Sequence, residues 1–163
     1  MRRKNHDFPD KKLQKIGGWV RLRDEGDRIT LTYKQMSDRS IHGTQEVEVT
    51  IDSFEEGEQI LAAIGLEVTS FQETRRNSWE YKGSQIELDE WPWVHTQLEI
   101  EGESEELVRE IAKDLGLEWS NAKHGSVEIA YMDVFDFEEE KFYDLDTISF
   151  DAKPPKWLEE TRR

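Results

Sequence analysis

The 163-residue chain has no cysteine, which excludes disulfides, thiolate metal sites and thiol nucleophiles and fits a reducing compartment. Long hydrophobic runs are absent too. No apolar stretch approaches the length of a bilayer span, and the amino terminus, Met1-Arg2-Arg3-Lys4, is charged where a signal peptide is apolar. The expectation is a cytoplasmic protein without a membrane partner. Positive charge is in short supply: 22 basic residues against 37 acidic ones leave a net charge of −15, which argues against nucleic acid or anionic lipid as partners, since both are polyanions. There is no glycine-rich phosphate loop. The four histidines, His6, His42, His95 and His124, lack a spacing suited to zinc or to a nucleophile's base, and each reads as a solvated loop residue.

What is present is alternation. Trp19-Val20-Arg21-Leu22-Arg23 sets Val20 and Leu22 against Arg21 and Arg23, and Asp24-Glu25-Gly26-Asp27 makes a hairpin turn into the strand Arg28 to Lys34, whose polar face carries Thr30, Thr32 and Lys34. Further strands are expected at Glu46 to Ile51, Arg76 to Tyr81, Gln85 to Asp89, Gln97 to Glu101 and Ser126 to Ala130, each with one apolar and one polar face. A duplication runs through them. Glu46-Val47-Glu48 precedes a helix that ends at Gly65-Leu66-Glu67, and Glu99-Ile100-Glu101 precedes one that ends at Gly116-Leu117-Glu118. Ser53 and Ser104 are the expected N-caps; Ile60, Leu61 and Ile64 in the first helix, and Leu107, Val108, Ile111 and Leu115 in the second, are the expected inward residues.

Residues two apart on a strand share a face, so each Glu-x-Glu pair presents two carboxylates together, a donor type suited to a hard divalent cation. Any single charged pair is adequately explained as a solvated sheet face. The sorting of Arg and Lys onto some strands and Glu pairs onto others favours one curved sheet that binds a polyphosphate with its metal.

Six stretches in order then resemble the CYTH superfamily of class IV adenylyl cyclases and thiamine triphosphatases, also called triphosphate tunnel metalloenzymes. They are Leu22-Arg23, Thr32-Tyr33-Lys34, Glu46-Val47-Glu48, Arg76, Glu87-Leu88-Asp89-Glu90 and Leu98-Glu99-Ile100-Glu101-Gly102, within roughly residues 6 to 130. The resemblance implies an α+β fold: an antiparallel β-barrel around a triphosphate tunnel, helices packed outside, over residues 1–150. It implies that Arg21, Arg23, Lys34 and Arg76 bind a triphosphate, that Glu46, Glu48, Glu99 and Glu101 hold Mg²⁺ or Mn²⁺, and that Asp89, with Glu87, is a further tunnel residue; Lys123, near the final strand, is a tunnel candidate whose plainer reading is an exposed lysine.

The implied ligand is a nucleoside triphosphate or polyphosphate, and the implied reactions are ATP cyclisation to cyclic AMP and pyrophosphate, or triphosphate hydrolysis. No residue is assigned as the catalytic group. One departure stands out: the family's first strand carries Glu-x-Glu-x-Lys, which this chain lacks, the stretch from His6 to Leu13 resembling the loop before the second strand. A different start, a strand from another protomer in a homodimer, or a noncatalytic binding module with an open edge would each account for it. Trp91-Pro92-Trp93 reads as a hairpin tip or core cap, and as a base-stacking platform second. Residues 133–163 are expected to hold a helix and a short strand, with 151–163 a disordered tail.

Overall fold

The structure is a computed structural model that describes residues 1–36 and 44–163; His42 lies outside them. Among the described residues nine strands form two sheets. The larger is built from β1 (Arg2–Asp7), β2 (Gly18–Asp24), β3 (Ile29–Met36), β4 (Thr44–Ile51), β5 (Glu67–Glu73) and the short β9 (Thr147–Ile148), in the order β4-β3-β2-β1-β5-β9. Every pairing in it is antiparallel except β5 with β9. The smaller is an antiparallel meander of β6 (Arg75–Tyr81), β7 (Ser84–Glu90) and β8 (Gln97–Glu101).

Only Thr74 separates β5 from β6, so one strand path serves both sheets and turns a corner there. The amino terminus holds that corner: the Met1 ammonium donates to the Thr74 carbonyl at 2.7 Å, and the Thr74 amide donates to the Met1 carbonyl at 3.0 Å. Strands β4 and β8 end their sheets, and among the described residues no pairing joins them. The barrel is therefore open along that side. A strand, β1, takes in Arg2 to Asp7, so the loop expected from His6 to Leu13 begins only at Phe8; β1 carries no Glu-x-Glu-x-Lys.

The duplicated β-α units fold alike. Helix α1 (Phe54–Ala63) is capped by Ser53 Oγ, which accepts from the Glu56 amide at 3.1 Å, and α2 (Glu105–Asp114) by Ser104 Oγ, which accepts from Leu107 at 3.2 Å. Both end on a left-handed glycine, Gly65 at φ 90° and Gly116 at φ 74°. The next amides, Leu66 and Leu117, then reach back to the carbonyls of Leu61 and Ala112, a closure that only a residue tolerant of positive φ allows. The symmetry stops there, because α1 leads into β5 whereas α2 leads into a 3₁₀ turn at Trp119–Asn121.

Apolar side chains leave the sheets on their outer faces. Leu22, Phe54, Leu61 and Leu66 form the core under α1, so close that a Cβ on Gly57 would come within 2.6 Å of Ile51 Cδ1. Ile111 and Ala112 of α2 are buried over the smaller sheet, whose Ile86 is also buried. Ile60, Ile64 and Leu115, expected inward, are exposed instead. Ile60 lies off the buried stripe of Phe54, Gly57 and Leu61, and Ile64 and Leu115 are C-cap residues past the ends of their helices.

A third core joins Trp91 to Tyr131, Phe135, Phe142, Leu145, Ile148 and Leu158. It involves two corrections. The segment read as a final strand, Ser126 to Ala130, enters helix α3 (Glu128–Val134), whose Ala130, Tyr131 and Phe135 turn inward at helical spacing. Residues 151–163 contain α4 (Lys156–Glu159), with Leu158 fully buried and Arg162 bridged to Phe135, rather than forming a disordered tail. Leu158→Ala is accordingly expected to cost about 2–5 kcal/mol in chemical denaturation; a loss near zero would detach this segment from the core. No helix among the described residues is long and apolar enough to cross a membrane.

Candidate functional site

Strand register decides which side chains share the inner face. Across the larger sheet Arg3 stands opposite Arg23 and Asn5 opposite Arg21; Arg21 stands opposite Thr32, which stands opposite Glu48; and Lys34 stands opposite Glu46. Across the smaller sheet, Arg76 faces Asp89, and Ser78, Glu87 and Glu99 form one row. Side-chain contacts follow these rows. Arg21 lies 3.6 Å from Glu46 and 3.5 Å from Glu48, Lys34 2.7 Å from Glu46, and Thr32 Oγ1 donates to Glu48 at 2.7 Å. Arg23 lies 4.0 Å from Glu48 and also pairs with Glu25 of the β2–β3 turn.

In the smaller sheet Arg76 is the hub. Its Nε donates to Asp89 at 2.6 Å, its Nη2 reaches Glu99 at 3.2 Å, and it pairs with Glu87, which also accepts from Ser78 at 3.3 Å. Arg3 joins the two halves. Its guanidinium donates to Thr74 Oγ1 at 2.7 Å, lies 4.7 Å above the Trp91 ring and feels the charges of Arg21, Arg23, Arg76 and Asp89. The expected cations Arg21, Arg23, Lys34 and Arg76 thus do line the polar faces of two sheets that meet at Thr74.

Burial here is unusual for guanidinium groups. Arg3, Arg21 and Arg23 are 7 %, 8 % and 8 % exposed, and the Nε of each is buried without a hydrogen-bond partner. Burial first, then repulsion from neighbouring arginines, pushes Arg3 down to about 9 and Arg21 to about 10, so both stay charged at neutral pH. Crowded cations with unused donors need an anion. Arg76 is the opposite case: burial lowers it, but the hydrogen bond and charge of Asp89, then Glu87 and Glu99, more than reverse that, and it is raised. For Glu48 burial acts upward, yet the Thr32 hydroxyl, Arg23 and Arg21 hold it below the usual carboxylate range.

Glu99 is raised although its side chain is 48 % exposed: partial desolvation by the neighbouring strands is the largest cause, Arg76 pulling the other way and Glu101, Asp89 and Glu87 pushing it up. A raised folded-state value means that Glu99 supports folding below its unfolded value near 4.3 and that this contribution is lost as pH rises through the folded one. Glu99→Gln should therefore match the parent near pH 4 and melt about 1–2 °C higher at pH 7, a gain kept small by the 48 % exposure of the side chain. A lower melting temperature at pH 7 would mean that the Arg76 pairing dominates.

The carboxylates do not assemble as expected. A divalent cation wants several converging oxygen donors, and among the described residues no group of three Asp, Glu or His side chains is placed to hold one. Glu46 and Glu48 sit on β4 against Lys34, Arg21 and Thr32, whereas Glu99 and Glu101 sit on β8 beside Arg76. The donor set does not fit a preformed cation site. Two peripheral expectations also change. Lys123 is exposed in the segment before α3 and pairs with Asp133 of that helix, since the strand expected beside it is a helix. His6 is buried on β1 rather than solvated, near Glu58 of α1, and burial lowers its pKa; His95 and His124 are exposed.

Sequence reasoning missed Arg3, Glu25 and the role of Thr74. The usable signal for Arg3 was its two-residue spacing to Asn5 within a strand-length polar run. Trp91 is a core cap rather than a hairpin tip, its ring taken up by Arg3 and the third core. Trp93 donates to the Ala152 carbonyl at 2.7 Å.

Comparison with known proteins agrees with this geometry. The CYTH domain profile matches residues 6–130. No curated protein sequence matches the chain significantly. Among solved structures, a candidate adenylate cyclase from Vibrio parahaemolyticus is similar with a TM-score of 0.68 and 16 % identity over 80 % of this chain and 79 % of that one. A Pyrococcus horikoshii protein gives 0.57 and 24 % over 81 % and 85 %. A candidate adenylyl cyclase from Hippeastrum, described as having a dominant triphosphatase activity, gives 0.54 and 19 % over 75 % and 78 %. At these identities the likeness speaks for the fold.

Proposed function

The chain belongs to the CYTH family, and from that premise we propose that it binds the triphosphate group of a nucleoside triphosphate or of inorganic triphosphate on the inner faces of its two sheets. The observation that carries this reading is the set of buried guanidinium groups of Arg21 and Arg23, each with an unpartnered Nε, beside Lys34 and across from Arg76. Guanidinium forks match phosphate oxygens in geometry and charge, and a dry wall strengthens the contact. A net charge of −15 makes the selectivity sharper. The surrounding field repels polyanions, so only a ligand that engages several of these cations at once is held.

Turnover is a second reading, favoured by Glu99. It is a carboxylate with a raised pKa beside Arg76, on the face that would meet the phosphates, and it is the group placed to take a proton from an attacking hydroxyl or water. CYTH enzymes are generally metal-dependent. The donor set here does not form such a site by itself, and no step is assigned to a metal.

Calorimetric titration with tripolyphosphate, ATP and AMP tests the binding reading. Tripolyphosphate and ATP should compete for one site and weaken as salt rises, while AMP should not displace them. Equal affinity for AMP and ATP, or none for tripolyphosphate, would overturn it. Incubation with ATP then separates the outcomes of turnover: cyclic AMP with pyrophosphate, or ADP with phosphate.

A further inference from the structure

The β1–β2 register sets Arg3 directly opposite Arg23, with Asn5 opposite Arg21 on the same face. Directly opposed like charges on neighbouring strands destabilise a sheet, and here both side chains are more than nine-tenths buried. The fold nevertheless holds Arg3 in place from two sides. Thr74 Oγ1 accepts one Nη2 hydrogen bond at 2.7 Å, and the Trp91 ring supports the guanidinium plane at 4.7 Å. Neither contact neutralises its charge. Its Nε remains buried and unpartnered, as do those of Arg21 and Arg23.

Arg3 also occupies the corner where β5 becomes β6, within electrostatic reach of Arg21 and Arg23 on one sheet and of Arg76 and Asp89 on the other. A side chain placed there can touch an anion that spans both sheets. We propose that Arg3 is a further triphosphate-binding residue, a fixed guanidinium at the seam whose charge and terminal N–H groups engage the phosphate chain. This rests on the triphosphate reading above. The ring and the threonine orient the group before the ligand arrives, which limits the ordering cost of binding.

Arg3→Gln, Arg3→Lys and Arg23→Met are compared with the parent by titration with tripolyphosphate, and the parent's arginine Nε–Hε signals are followed by NMR during the same titration. The expected result is a tenfold or greater loss of affinity in Arg3→Gln, partial recovery in Arg3→Lys, and an Arg3 Nε–Hε signal that moves with the affinity measured by heat. Loss in Arg23→Met, with Arg3→Gln unchanged and the Arg3 signal stationary, would overturn the role of Arg3 and leave the triphosphate reading standing. A parent protein that does not bind tripolyphosphate would remove that reading itself. If Arg3→Gln fails to fold, the parent NMR titration still decides.

Discussion

Arg76→Met is expected to unfold the protein more easily by about 3–5 kcal/mol, a drop in melting temperature on the order of 10 °C. The reason lies in what remains. Asp89 is 5 % exposed and the Glu87 side chain 12 %, and Arg76 pairs with both as well as with Glu99. Methionine fills much of the volume but leaves these carboxylates facing each other without a cation in a poorly solvated sheet face. Removing one partner of a buried pair is costly for that reason, even where the intact pair adds little net stability. Thermal denaturation of parent and variant at neutral pH measures it. A change below about 1 °C would show that water already reaches these carboxylates and that Arg76 is not their counterion.

Arg21→Met should behave in the opposite way. Arg21 stands among Arg3 and Arg23, and its removal relieves repulsion; Glu46 keeps Lys34 as a partner at 2.7 Å, and Glu48 keeps the Thr32 hydroxyl at 2.7 Å. Stability should hold or rise. Binding should fall, since a charge-assisted phosphate contact is worth about 1.5–3 kcal/mol, roughly a 10- to 150-fold loss in tripolyphosphate affinity. Titration calorimetry on a variant shown by its melting curve to be folded reads the two effects separately. Unchanged affinity would remove Arg21 from the site, and a marked loss of stability would recast it as a structural counterion of Glu46 and Glu48.

These two arginines look alike in sequence, which shows where sequence reading stops. Period-two alternation was enough to place Arg21 and Arg23 on the face opposite Val20 and Leu22, and Glu46 and Glu48 on the face opposite Val47 and Val49, because successive strand residues point to opposite faces, although Val47 and Val49 themselves stay exposed. The serine caps and the terminal glycines of α1 and α2 were legible for a similar reason: cap chemistry is local. Which cations carry counterions is not local. Arg76 has three carboxylates from its own sheet, whereas Arg21 shares two with Lys34 and Arg23, and only cross-strand register reveals that.

The carboxylate pairs show the same limit. Their duplication was plain in the sequence and their strand setting is as expected, yet β4 and β8 are end strands of different sheets, and among the described residues no three Asp, Glu or His side chains are placed to hold a metal. Ser126 to Ala130 failed as a strand because a five-residue alternating run also fits the start of an amphipathic helix. Its arbiter was the distant apolar cluster of Trp91, Phe142 and Leu158. Arg3 went unread because one arginine in a charged amino-terminal run has no visible partner until Arg23, Thr74 and Trp91 are brought to it.

The most direct test of the central claim is a crystal structure of the protein with bound tripolyphosphate. Phosphate oxygens are expected within hydrogen-bond distance of the Arg21, Arg23 and Arg76 guanidinium groups, between the inner faces of the two sheets. A phosphate chain bound on the outer faces, at the exposed Lys123 loop, or with these arginines still joined only to their carboxylates would contradict it.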